Sequence, residues 1–90
     1  MLTTLTDQGL RTLQSHPDRL REVNRDVEEL GAKVLHQGIS LGHFDYVNVI
    51  EAPDSETVAR ISVALGARGS AKLQSYELIP IDRLLESLSA

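Results

Sequence analysis

Three histidines, two tyrosines and thirteen carboxylates are the groups of this 90-residue chain that could hold or move a proton. The grouping that offers chemistry is His36, Tyr46 and Asn48. Histidine titrates near pH ~6.5 and so exchanges a proton under physiological conditions. A phenol or an amide beside it would orient the ring or hold an oxyanion. Enclosed in a small cavity, the three would suit proton abstraction next to a carbonyl. The plainer alternative is that His36 and Asn48 bond each other, or water, across strands or across an interface between copies.

Other chemistries find less support. His36 and His43 flank a turn on opposite parities, and His16 precedes Pro17 in a helical stretch, so they do not converge on one ion. The chain has no cysteine and no paired-histidine spacing of the metalloprotease kind, so no metal and no other cofactor is expected. Asp45 and Glu51 stand at opposite ends of one strand, too far apart for paired-carboxylate catalysis. Asp45 is expected to accept turn amides instead. Gly66-Ala67-Arg68-Gly69-Ser70 does not read as a phosphate loop, because no strand leads into it and no lysine follows in place.

Positioning these residues requires an order of elements. Leu2–Thr6 is short and threonine-rich, the composition of a strand. Asp7 offers a cap, and Leu10, Leu13, Leu20, Val23, Val27 and Leu30 then recur at helical spacing. Pro17 puts a step in that helix, with Ser15 or His16 as the second start. Gly31 closes it. Lys33–Ser40 and Phe44–Ala52 read as strands joined by a tight turn at Leu41-Gly42-His43, where glycine would supply a positive φ. Pro53 stops the second of these, and Asp54 opens a helix with Val58, Ile61 and Leu65 facing inward. Ala71–Ile79 reads as a fourth strand. Pro80 begins a terminal helix carrying Ile81, Leu84, Leu85 and Leu88. The order is β-α-β-β-α-β plus a helix, the ferredoxin-like arrangement, read as one domain over residues 1–90.

Composition narrows the class of partner. Nine Lys and Arg face thirteen Asp and Glu, a net charge of −4, and the aromatics are Phe44, Tyr46 and Tyr76 alone. Phosphate neutralisation and base stacking both lack their residues, so no nucleic acid is expected. No apolar run exceeds three residues, which excludes a membrane-spanning stretch. Met1–Gln8 lacks the basic start and apolar run of a secretory signal, and a cytoplasmic location is the expectation.

Alternation along the central hairpin assigns its faces. The odd set (Leu35, Gln37, Ile39, Val47, Val49) has the β-branched centre expected beneath two helices. The even set (Val34, His36, Gly38, Ser40, Phe44, Tyr46, Asn48, Ile50, Ala52) mixes aromatic and polar groups and is expected on the open face. His36, Tyr46 and Asn48 would then share a face away from the helices. An open face carrying Val34, Phe44, Tyr46 and Ile50 calls for a cover, and a 90-residue core is small, so a homodimer or larger homo-oligomer is expected.

Leu5-Thr6-Asp7-Gln8-Gly9, Leu41-Gly42-His43-Phe44-Asp45 and Val49-Ile50-Glu51-Ala52-Pro53-Asp54 together resemble the GYD-domain family, as does Ala64-Leu65-Gly66-Ala67-Arg68-Gly69. The family is named for a glycine, a variable residue, a tyrosine and an aspartate, which here read Gly42, His43, Phe44 and Asp45. Phe44 stands in the tyrosine's place, so any role of that hydroxyl is missing. The first strand also starts later than the family's. The resemblance implies a ferredoxin-like subunit of a dimeric α+β barrel, bacterial in type, with no established activity. Two functions fit. The first is a structural or small-ligand-binding module formed on dimerisation. The second is a small cofactor-free isomerase or monooxygenase using a cavity around His36.

Overall fold

The computed structural model describes residues 1–89. Its elements are β1 (Leu2–Leu5), α1 (Asp7–Ser15), α2 (Arg19–Glu29), β2 (Lys33–Ile39), β3 (Tyr46–Glu51), α3 (Ser55–Gly66), β4 (Ala71–Gln74) and α4 (Ile81–Ser89). The strands form one antiparallel sheet in the order β2-β3-β1-β4, which is the ferredoxin-like topology.

Helix boundaries follow from local chemistry. Thr6, not Asp7, caps α1: its hydroxyl accepts the Gly9 amide at 3.2 Å. Pro17 cannot donate to a helical ladder, so the expected step is a full break, with α1 ending at Ser15 and α2 starting at Arg19. The second start is therefore Asp18 rather than Ser15 or His16, and Asp18 makes no side-chain cap bond. Gly31 has φ 107°, the left-handed conformation that turns the chain out of α2. Asp54 caps α3 by accepting both the amide and the hydroxyl of Thr57, each at 2.7 Å.

Between β2 and β3 the turn is wider than expected. The Ser40 amide donates to the Asp45 carbonyl at 2.9 Å around a loop, and Gly42 is not at positive φ. The fourth strand is also shorter than expected, pairing with β1 only from Ala71 to Gln74. Ser75–Pro80 runs on exposed.

The core lies between the sheet and α2 and α3. Val27, Ala32, Ile61 and Leu65 are buried together, with Val34, Ile50 and Leu73 of the sheet packed against them. No described residue covers α4, whose residues Ile81–Ser89 are all exposed. The described chain is accordingly elongated, 53 Å in its longest dimension, with a radius of gyration of 14.7 Å. A compact chain of this length would have about 12 Å.

Candidate functional site

The bulge in β2 decides which residues meet. Val34 pairs with Ile50, but the next pair is His36 with Val49, so Leu35 and His36 together oppose one residue of β3. The extra residue reverses the parity of everything after it. Gln37 now pairs with Asn48, Gly38 with Val47 and Ile39 with Tyr46.

The structure therefore separates the three residues that sequence alternation had put together. Thr3 pairs with both Tyr46 and Leu73, and all three line the space beneath the helices, together with Asn48 and Ile50. His36 lies on the other side of the sheet and is exposed. The expectation of one shared open face is thus corrected for Tyr46 and Asn48, and the face assignment of Val47 and Val49 is corrected with it. One inserted residue in β2 separates His36 from the other two, and strand alternation by itself does not reveal it. The β3 faces follow from which side the helices cover: the β-branched Val47 and Val49 mark the open side, not the covered one. Tyr46 is only 6% exposed and does not belong to an open surface.

On the covered side, α1, α2, the end of α3 and the sheet line a partly open pocket of about 110 Å³. Its walls are chiefly apolar, with Leu13, Leu20, Val23, Val34 and Ile50 among them. Polar residues punctuate this wall, Asn24, Gln37, Tyr46 and Asn48 among them. Gln37 and Asn24 exchange two amide hydrogen bonds, at 2.9 and 3.0 Å, and so tie β2 to α2. Burial, and then the neighbouring Asp45 charge, raise the Tyr46 pKa, so its phenol stays protonated. The Oδ1 atom of Asn48 is shut from solvent and meets no hydrogen-bond donor. Neither Gln37 nor Asn24 was singled out from the sequence. Strand alternation had already put Gln37 beneath the helices; what it did not show is that Asn48 shares that side and that Asn24 of α2 meets Gln37 there.

The open side of the sheet pairs Leu2 with Val47 and places Val49, Thr4, Lys72, Gln74 and His36 around them. Beyond it, α4 turns out Ile81, Leu84, Leu85 and Leu88 at i, i+3, i+4 and i+7, one apolar stripe along its length. Leu78 and Ile79, just before it, are exposed too. No group of three or more His, Cys, Asp or Glu comes together in a way that could hold a metal ion among the described residues. Among them also, no helix is long and apolar enough to cross a membrane.

Three of the four motifs quoted above converge at one place, the end of β1; the fourth, Val49–Asp54, leads into the cap of α3. The Leu5 amide donates to Asp45 Oδ2 at 2.7 Å. The Thr6 hydroxyl donates to the Gly69 carbonyl at 2.9 Å, and the Thr6 amide to the Ser70 carbonyl at 3.0 Å. Gly9 lets α1 approach that same turn, since a Cβ on it would lie 2.1 Å from the Ser70 oxygen. Asp45 thus accepts a strand amide across the sheet rather than the turn amides expected of it. The signature residues act on backbone groups, as a clamp joining β1, α1 and the turn after α3.

A β-α-β-β-α-β sheet with this clamp defines the class, and residues 1–88 match the GYD-domain family: the chain belongs to it. It is 45% identical over 89 residues to a protein of Thermus thermophilus named glutamine synthetase and cystathionine beta-lyase binding protein, a match covering 98% of this chain and 94% of that one. No solved structure matches the chain.

Proposed function

We propose that this protein is a cytoplasmic docking module, acting on other proteins by binding them and working as a homodimer. The observation that carries the reading is the uncovered stripe of α4. A nine-residue helix is marginal in water without packing, because nucleating it is costly and most helical stability comes from a buried face. Such a helix with four apolar residues on one side is built to be covered by a partner. The name of the Thermus thermophilus relative supplies the partner class: glutamine synthetase or cystathionine beta-lyase.

The open side of the sheet is assigned to a second copy of the chain, closing the α+β barrel around Leu2, Val47 and Val49. Lys72, Gln74 and His36 around that centre are suited to a polar rim. The catalytic reading has less behind it. Proton abstraction needed His36 beside Tyr46 and Asn48, and the bulge puts the sheet between them.

Light scattering of the purified protein, alone and mixed with glutamine synthetase and with cystathionine beta-lyase, tests both parts. The expected result is a dimer alone and a larger complex with at least one enzyme. Replacing Leu84, Leu85 and Leu88 by serine should leave the dimer and abolish the complex. A monomeric mass alone would overturn the dimer assignment. Failure to bind either enzyme, or binding unchanged in the triple variant, would overturn the docking assignment.

A further inference from the structure

We propose that residues 75–79 of each copy continue β4 and pair through their backbone with the outer edge of β2 in the second copy. This pairing rests on the homodimer reading above and adds to it the main-chain contacts that join the two copies.

Residues 71–79 have the composition of one strand. Leu73, Tyr76, Leu78 and Ile79 fall in a run with no glycine, and no proline comes before Pro80. Only residues 71–74 find a partner, because β1 is four residues long. Residues 75–79 are exposed throughout, and the Ser75, Glu77 and Ile79 amides have no acceptor among the described residues. An extended run that shows bare amides and apolar side chains is a template for another strand.

Alternation fixes which amides are on offer. The Thr6 amide bonds the Ser70 carbonyl, so Ser70, Lys72 and Gln74 turn their amides toward β1. Carried through residues 75–79, the same alternation turns Ser75, Glu77 and Ile79 away from β1, to the outer edge of the sheet. It also sets the faces. Gln74 pairs with Leu2 on the open side, and Tyr76 and Leu78 follow it there. The Tyr76 hydroxyl donates to Gln74 Oε1 at 3.3 Å on that side. The apolar side chains of the run thus continue the surface assigned to the second copy.

The other end of the sheet offers the matching edge. In β2 the Ser40 amide turns inward to Asp45, so Gln37 and Ile39 present theirs outward. The bulge between Val34 and His36 blunts the first half of that edge, and the regular half carries Ile39, 78% exposed. Two copies meeting by their open sides have four sheet edges. Pairing β4 with β4 would leave both β2 edges bare. Pairing each run with the other copy's β2 uses all four in one closed, two-fold contact. Pro80 and the first residue of α4 follow Ile79 at once, so the same pairing fixes where α4 stands on the dimer.

Hydrogen exchange of the full chain, followed by NMR above and below its dimerisation concentration, tests this. In the dimer the Gln37, Ile39, Ser75, Glu77 and Ile79 amides should slow by about tenfold or more, while Tyr76 and Leu78 stay fast. Glu77→Pro removes one outward amide and should weaken the dimer by about tenfold or more. Glu77→Ala keeps that amide and should leave the dimer unchanged. A monomer at every concentration would overturn this pairing together with the dimer. A dimer in which those amides exchange freely, or in which the two Glu77 variants behave alike, would overturn the pairing alone. So would slowing at Ser75, Glu77 and Ile79 without Gln37 and Ile39, which puts the run against a different edge.

Discussion

Helices α3 and α4 carry the same kind of apolar spacing and meet opposite fates. In α3, Ile61 and Leu65 are buried against α2 and the sheet, Asp54 caps the start, and the turn beyond its end is fastened to Thr6. In α4, Ile81, Leu84, Leu85 and Leu88 bury nothing. Periodicity reports that a helix has an apolar stripe; it does not report what lies against the stripe. The difference lies in the connections. Pro53 and Asp54 lead directly from β3 into α3, whereas six exposed residues, Ser75–Pro80, separate β4 from α4. The first helix belongs to the fold and the second to whatever the fold binds.

The sharpest way to break that contrast is to cut into α3. Ile61 is fully buried, so Ile61→Ala should lower the unfolding free energy by about 2–5 kcal/mol, through lost burial and the cavity left behind. Urea denaturation checks this. A loss below ~1 kcal/mol would show that α3 is no more anchored than α4.

The clamp at the end of β1 should rank next. Gly9→Ala would drive a methyl into the Ser70 carbonyl, which Thr6 holds in place. Overpacking of this kind costs about 1–3 kcal/mol. The same urea experiment should place Gly9→Ala between Ile61→Ala and the unaltered protein. An unchanged midpoint would mean that the turn after α3 gives way freely.

Strand parity explains why the element order was legible and the site was not. Proline, glycine and capping residues act within a few positions, and Pro17, Gly31 and Asp54 each punctuate the chain where expected. The apolar residues of α4, Ile81, Leu84, Leu85 and Leu88, were legible too, but not that they stay exposed. Which side of the sheet a residue faces depends on every residue before it in the ladder. One bulge at Leu35 sends His36 to the open side and leaves Tyr46 and Asn48 under the helices. No residue type in Val34-Leu35-His36-Gln37 announces that bulge. The short β4 has a similar cause: β1 has only four residues, so nothing remains for Ser75 and its successors to pair with.

A smaller effect is expected from the cap of α3, and it depends on pH. The side-chain and backbone hydrogen bonds from Thr57, helped by the Arg60 charge, hold the Asp54 pKa below its ordinary 3.8. The unfolded chain therefore binds the proton first. The cap's contribution is complete above the unfolded value and is lost as pH falls through the lower folded one. Stability should decline with acid below pH ~4, and Asp54→Asn, which still caps but cannot titrate, should show a shallower decline. Thermal melts at several pH values would reveal parallel curves for the two proteins if Asp54 contributes nothing.

The least effect on folding should come from the stripe of α4, and that smallness is the prediction. Leu85 is 55% exposed, and no residue of its helix is buried, so Leu85→Ala removes surface that solvent already wets. Substitutions at such positions change stability by no more than about 0.5 kcal/mol. Alanine also favours the helix slightly more than leucine does, so α4 itself is not weakened. Urea midpoints for Leu85→Ala and the unaltered protein should coincide, while affinity for the partner enzyme falls. Apolar anchors of an interface carry its energy unevenly, so one leucine at the middle of the stripe should cost tenfold or more in affinity. If Leu85→Ala instead lowers the urea midpoint as Ile61→Ala does, α4 is packed in solution, and the two helices differ less than their exposure indicates. If neither stability nor affinity moves, Leu85 is not the part of the stripe that a partner covers.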